Sequence, residues 1–305
     1  MAEGLVSVVI PTYGRAGLLA RTVPTYLQPG VGEVIVVDDA SPDDTARVLG
    51  DLAAADPRIR ALRSPVNRKQ THAKNLGIAA ARFPLVYFGD DDSLLSAGSI
   101  AFLLETMTAR GADIVGARAP YLKDGEGPET PARPDPEGRA APTALKVDWR
   151  SLHADFGAAL AGPVEAPFVH AAFLARRELA LATLFDEAFT GNCYREETDF
   201  ILRAAERGAR IWFDPRAVQT NLPRSASGGG AHGSGGSLLR RKLRYYGSSA
   251  RNNLRFLRRH HAWLAGRYPL PRSTTMAQLA FILSMFRAVA VNLSRRAIRW
   301  PRRSS

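Results

Sequence analysis

From residue 224 to its end the 305-residue chain contains no aspartate and no glutamate, although 17 of its 41 lysines and arginines lie there. The preceding residues then hold 24 basic against 29 acidic groups, so the formal charge of +12 divides into an acidic body and a basic tail. Such a tail seeks polyanions: a membrane surface, nucleic acid or phosphorylated lipid. Cysteine is nearly absent as well. A single one, Cys193, excludes an internal disulfide and fits a reducing, cytoplasmic compartment. No uncharged apolar run reaches the roughly 18 to 20 residues a spanning helix needs. Met1-Ala2-Glu3-Gly4 carries no basic segment and the apolar run after it is short, so no signal peptide is expected. Also missing is a Gly-x-Gly-x-x-Gly turn after the first apolar run, where Pro11-Thr12-Tyr13-Gly14-Arg15 stands instead. That argues against a dinucleotide-dependent oxidoreductase, and the lack of a Gly-rich basic N-terminal loop argues against a sugar nucleotidyltransferase.

What is present centres on Val86-Tyr87-Phe88-Gly89-Asp90-Asp91-Asp92-Ser93, a buried-strand composition that stops in three carboxylates. Three adjacent anions repel one another unless a cation joins them. In extended chain Asp90 and Asp92 would point the same way and grip one hard divalent ion. Further strands are expected at Ser7–Ile10, Glu33–Val37 ending in Asp38-Asp39, Ile59–Leu62, Asp113–Gly116, within Ala166–Leu174, and at Ile211–Phe213 with Pro215 as the stop. Helices are expected over 16–28 with a break at Pro24, from Ser41 as N-cap to Ala54, and over Thr71–Ala81, Ser96–Arg110 and Glu197–Arg207. Strands alternating with helices imply βαβ units and a parallel sheet, whose ligands sit at the carboxyl ends of the strands. Pro11 to Arg15, Asp38-Asp39 and Asp90 to Asp92 all fall at such ends.

Residues 123–142, rich in Pro, Gly and charge, read as a mobile excursion, and the Gly/Ser-rich 223–237 as a flexible loop. Two amphipathic helices are expected beyond it. The first, Leu238–His261, would carry Leu239, Leu243, Tyr246, Ala250, Leu254 and Leu257 on one face. The second, about Met276–Arg296, would carry Met276, Leu279, Ile282, Leu283, Phe286, Val289 and Leu293, with Arg295, Arg296, Arg299, Arg302 and Arg303 at its end. That is the composition of an interfacial helix; packing on the body or on a second copy of the chain, a homodimer, stays open as the alternative. The expected division is 1–222 as catalytic domain, 223–237 as loop and 238–305 as basic helical extension.

Five segments together resemble the ordered motifs of family 2 glycosyltransferases with the GT-A fold: Ser7-Val8-Val9-Ile10-Pro11-Thr12-Tyr13, Val36-Val37-Asp38-Asp39-Ala40-Ser41, Ala73-Lys74-Asn75-Leu76-Gly77, Phe88-Gly89-Asp90-Asp91-Asp92 and Glu196-Glu197-Thr198-Asp199. The resemblance covers about residues 5–222 and implies a single Rossmann-like, mostly parallel α/β sheet flanked by helices. It implies an inverting transfer from a nucleoside-diphosphate sugar to a saccharide or lipid-linked acceptor, in cell-envelope polysaccharide or glycolipid synthesis. By the same resemblance Pro11, Thr12, Tyr13, Arg15 and Asp39 hold base and ribose, and Lys74 lies near the donor where the family commonly has arginine. Asp90, Asp91 and Asp92 form the DxD motif, with Asp92 the main ligand of Mg²⁺ or Mn²⁺ and Asp90 beside it. Glu197 is the catalytic base, at a position where the family usually has Asp, and Glu196 assists it. The family often has a histidine after the last strand; Gln219 and Asn221 occupy that region here, and His232 lies in the loop. The implied location is cytoplasmic, peripheral on the inner face of the membrane. Competing readings are a catalytically inactive relative and a basic-tailed membrane or nucleic-acid binder, the latter disfavoured by the acidic body.

Overall fold

Short β-branched runs closed by turn residues, each followed by a helical stretch, set the order of the first half. The computed structural model describes residues 4–126, 141–223, 225 and 238–298, with side chains over 240–287 in the last stretch. Its elements begin β1 (Val6–Thr12), α1 (Ala16–Thr22), β2 (Val31–Asp38), α2 (Thr45–Ala55), β3 (Ile59–Arg63), α3 (Lys69–Ala80), β4 (Leu85–Phe88), β5 (Ser93–Leu95), α4 (Ser99–Arg110) and β6 (Ile114–Arg118). There follow a small hairpin of β7 (Val147–Asp148) and β8 (His153–Ala154), then β9 (Val164–Glu165), β10 (Phe173–Arg176), α5 (Arg177–Thr183), α6 (Glu196–Glu206), β11 (Ile211–Asn221), α7 (Leu238–Ala265) and α8 (Thr274–Ile298).

The main sheet is ordered β3-β2-β1-β4-β10-β6-β11-β5, with β9 beside β11. Strands β3, β2, β1 and β4 run parallel, as do β6 and β11, while β10 is inserted antiparallel between β4 and β6. The chain leaves β1 to one side for β2 and β3 and returns on its other side as β4. The crevice of a parallel sheet opens at such a reversal, which brings Thr12 to Arg15 beside Asp90 to Asp92. Strand β4 is covered on both faces. Val86 and Phe88 enter one core, where Phe88 lies 4.7 Å from Phe173 and 5.2 Å from Phe185 between ring centroids, and Tyr87 enters the other beside Tyr26. Burial on both faces is why the run is continuously apolar. Helix α3 lies close on β1 because Gly77 has no side chain; a Cβ there would stand 2.3 Å from Val9 Cγ1.

Several local expectations shift. Pro24 ends α1 as expected, and Val23–Tyr26 continue as one 3₁₀ turn. Ser41 does not cap α2, which starts at Thr45; its hydroxyl instead accepts from the Gly14 N–H, and its own N–H donates to Asp38. Pro215 does not stop the last strand. Strand β11 continues to Asn221 because the register slips between Asp214 and Val218, a bulge that needs no N–H from the proline. Its far half pairs with β5, a strand for which the sequence offers no expectation, and α4 begins at Ser99 rather than Ser96. Of Ala166–Leu174 only the end is strand: Pro167 lacks an N–H, Phe168 and Val169 fill the core from a loop, and pairing begins at Phe173. The face of α7 that meets the body is Ser249, Asn252, Asn253, Phe256, Leu257, His260 and Leu264, whereas Leu243 is 63% exposed. Most of 123–142 and 223–237, together with His232, Arg299, Arg302 and Arg303, lies outside the described residues, as do the side chains of Val289, Leu293, Arg295 and Arg296.

Candidate active site

A cleft of about 1120 Å³ opens over the carboxyl ends of β1, β2 and β4. Pro11, Thr12, Tyr13, Arg15, Asp39, Asp90, Asp91 and Asp92, all named from sequence, line it. Tyr13 is half exposed and Lys69 lies 6.0 Å from its ring centroid, so an apolar, cation-flanked face is offered to a planar ligand. Asp39 is buried and accepts the Arg68 and Lys69 N–H groups at 2.9 and 2.7 Å, which fixes the loop entering α3.

The three acids do not remain extended. The chain turns at Asp91-Asp92, and each carboxylate takes a partner from a different segment. Asp90 Oδ2 accepts from Gln219 Nε2 at 3.1 Å, Asp91 Oδ2 from Thr12 Oγ1 at 2.7 Å, and Asp92 Oδ2 faces Arg15 Nη1 at 3.4 Å. Tyr26 pins the main chain, its hydroxyl accepting from the Asp90 N–H and lying 2.9 Å from the Asp90 carbonyl. Gln219 is buried, and its Oε1 accepts from Tyr87 at 2.9 Å. Burial pushes the Asp90 carboxyl up to about 7 although Lys74 pulls it down, and the Asp91 carboxyl up to about 6 although Arg15 opposes it; the charge of Asp92 raises both. This is a donor set of hard oxygens short of positive charge, the chemistry that accepts a divalent ion. Among the described residues no group of three His, Cys, Asp or Glu is arranged to hold a metal by itself.

Lys74, Glu196 and Glu197 form a second cluster, joined to the cleft wall through Gln70, whose Nε2 donates to Glu196 Oε1 at 2.6 Å. Lys74 Nζ donates to Glu196 Oε1 at 2.8 Å and to Glu197 Oε1 at 3.0 Å, and lies 5.0 Å from the Phe185 ring centroid. Burial opposes the lysine charge, but the two glutamates outweigh it and hold the ammonium protonated well above its ordinary range. Glu196 is fully buried; burial and the charge of Glu197 push its carboxyl well up, and its Oε2 has no hydrogen-bond partner. Glu197 retains one-fifth of its side-chain exposure. Burial works against its ionised form, yet Lys74 prevails and holds the carboxyl down at about 2. The neighbouring Cys193 thiol is pushed up to about 12, chiefly by burial, which removes it as a nucleophile.

A further part of the cleft wall was not legible from the sequence. It belongs to α7, which presents Arg241, Arg244, Tyr245, Ser248 and Arg251 to the cleft. The helix is fixed to the body by polar contacts. Asn192 Nδ2 donates to Ser249 Oγ at 2.7 Å, Asn252 Nδ2 to the Thr190 carbonyl at 2.8 Å, and Arg259 pairs with Asp186 and Asp199 at 2.8 and 2.7 Å. His260 spans Asp199 and Glu206 at 3.0 and 2.7 Å.

The sequence and the fold have counterparts. The sequence model of glycosyl transferase family 2 matches residues 7–185. The "uncharacterized glycosyltransferase EpsJ" of Bacillus subtilis (strain 168) is 28% identical over 213 residues, 68% of this chain and 58% of that protein. The GalNAc(5)-diNAcBac-PP-undecaprenol beta-1,3-glucosyltransferase of Campylobacter jejuni (subsp. jejuni serotype O:2, strain ATCC 700819 / NCTC 11168) is 33% identical over 114 residues, 36% of this chain and 37% of that protein. The matched parts thus span 58% and 37% of these two relatives' lengths. In three dimensions the chain is similar to the mannosyltransferase PcManGT from Pyrobaculum calidifontis, solved with GDP-Man and Mn²⁺. The TM-score is 0.58 at 18% identity, with 98% of this chain and 81% of that one aligned, a likeness of fold. With the family's sequence pattern matched over more than half its length and its acids gathered at the ends of a GT-A sheet, the chain belongs to glycosyl transferase family 2.

Proposed function

We propose that the chain transfers a sugar from a nucleoside-diphosphate sugar to an acceptor hydroxyl with inversion, in one metal-assisted displacement. The observation that carries this is the pairing of an acid-rich cleft floor, whose carboxyls are raised in proton affinity chiefly by burial and by one another, with a separate carboxylate that Lys74 keeps ionised. Tyr13 stacks on the base, and Asp39 and Asp90 serve base and ribose. Asp92, with Asp90, would hold Mg²⁺ or Mn²⁺, which supplies Lewis-acid neutralisation of the leaving diphosphate. Arg15, beside Asp92, adds positive charge on the same side. Glu197 removes the proton of the attacking acceptor hydroxyl as its oxygen bonds to the anomeric carbon and the diphosphate departs from the opposite face. No covalent sugar–enzyme link is formed. Thermal unfolding with a panel of UDP-, GDP- and dTDP-sugars and Mn²⁺ tests the reading. At a hundredfold excess over Kd the matching donor stabilises by about 2.7 kcal/mol, and the absence of stabilisation by every donor would refute it.

The acceptor we assign is lipid-linked, as the undecaprenol in the name of the Campylobacter jejuni relative records for that protein, and we place the transfer in glycolipid or polysaccharide assembly at the inner face of the membrane. No helix among the described residues is long and apolar enough to cross a bilayer. Helix α8 instead leaves Met276, Leu279, Leu283 and Phe286 54–69% exposed at helical spacing, beside a basic terminus. That is how an interfacial helix is built. Leu283→Glu with Phe286→Glu is expected to lower sedimentation with anionic vesicles severalfold; unchanged binding would remove α8 as the anchor.

A further inference from the structure

Helix α7 carries two kinds of arginine. Arg255 and Arg259, lower on the helix, are paired with Asp186 and Asp199 and dock it on the body. Arg241 and Arg251, with Arg244 and Ser248, are three or four residues apart on the side that lines the cleft. Neither Arg241 nor Arg251 has a carboxylate within ion-pair distance among the described residues, and Arg241 Nε is buried with no acceptor. A buried donor left unsatisfied is unfavourable, and no acid follows residue 224 to neutralise Arg241 and Arg251 from their own segment. The acids across the cleft are engaged with Gln219, Thr12, Arg15 and the Arg68 and Lys69 amides. The ligand that completes this wall is therefore an anion with several acceptor oxygens, the chemistry guanidinium groups match best.

Its position says which substrate brings it. Besides the α7 residues, this wall includes Gly191, Asn192 and Cys193, the loop that leads into Glu196 and Glu197. That loop ties the wall to Glu197, the base proposed above for the acceptor hydroxyl, whereas Asp92, assigned above to the donor's diphosphate, is held by Arg15 at the end of β4. Leu243, on the same wall, offers exposed apolar surface beside the arginines. We infer that the α7 wall binds the phosphate or diphosphate of an amphiphilic acceptor, with Arg241 and Arg251 holding the oxygens and Leu243 meeting the start of the apolar chain. The anion site stands on this geometry alone; its assignment to the acceptor rests on the sugar transfer proposed above.

The full chain in EDTA, where no ion can hold a diphosphate on the acids, is titrated with a short prenyl diphosphate, inorganic pyrophosphate and the neutral prenol. The prenyl diphosphate is expected to bind, pyrophosphate to compete more weakly, and the prenol not to bind. Arg241→Gln with Arg251→Gln should weaken prenyl diphosphate binding about tenfold or more, while Asp92→Asn leaves it unchanged. Wild-type affinity in the double variant, or a matching loss in Asp92→Asn, overturns the site; equal affinity for pyrophosphate and prenyl diphosphate overturns the amphiphile in favour of a soluble phosphorylated acceptor. In transfer assays the double variant should raise KM for the acceptor and not for the donor. A rise confined to the donor places the arginines on the wrong substrate. Binding in EDTA without transfer from any donor would sink the transferase reading and leave the anion site standing.

Discussion

Glu197→Gln is expected to lower kcat about 10²- to 10⁴-fold, the contribution of a positioned general base, with donor affinity unchanged. The substitution preserves shape and an oxygen for Lys74 to donate to, so the α3–α6 contact survives and the loss is chemical. The ionised Glu197 is held at about 2 by Lys74, which makes it a weak base at rest. Its ionised state is nevertheless assured over the whole working pH range, and strength is needed only late. The acceptor hydroxyl becomes acidic as its oxygen bonds to the anomeric carbon, so proton transfer to a weak carboxylate is then downhill. Glu196 cannot substitute, because it is fully buried and pushed toward its protonated form. Steady-state rates together with calorimetric donor binding make the check; a kcat within a few fold of wild type would remove Glu197 from the chemistry.

How much of this could be read from the residues depends on what kind of contact each element makes. Strands β1, β2 and β4 announce themselves because each is a short apolar run buried on both faces and followed by a polar turn, Thr12 to Arg15 just past Pro11, Asp38-Asp39, or the three acids. The same runs carry the site, since ligands gather where such strands end. Lys74, by contrast, is marked only by the family resemblance, which puts it near the donor; nothing local announces that α6, more than a hundred residues on, brings two glutamates to it. Gln219 lies beyond Pro215, which reads as a strand end unless the bulge is known. The α7 wall was obscured for a further reason. Hydropathy periodicity weights Leu239 and Leu243, but the helix is docked by Ser249, Asn252, Asn253, Arg259 and His260, whose partners on other elements are invisible to any local pattern.

Asp92→Asn is expected to lower kcat/KM about 10³-fold, the scale of several kcal/mol of Lewis-acid stabilisation. It should also change how stability responds to pH. Asp90 and Asp91 are pushed up to about 7 and 6, above the ordinary unfolded value of about 3.9. The folded, ion-free chain therefore binds these protons more tightly than the unfolded chain, and their contribution to stability is greatest at low pH. It falls as pH climbs from about 4 through 7, where the carboxylates ionise side by side. Mn²⁺ binds the ionised form and so offsets that loss, which makes the rise in Tm on adding Mn²⁺ larger at pH 7.5 than at pH 5.5. In Asp92→Asn one of the repelling charges is gone, Asp90 and Asp91 ionise more readily, and the ion loses its main ligand. Both the fall in Tm with pH and the Mn²⁺ effect should then shrink together. Thermal unfolding of the two proteins across that pH range, with and without Mn²⁺, decides the matter: an undiminished Mn²⁺ effect in the variant would place the ion away from the acids at the end of β4.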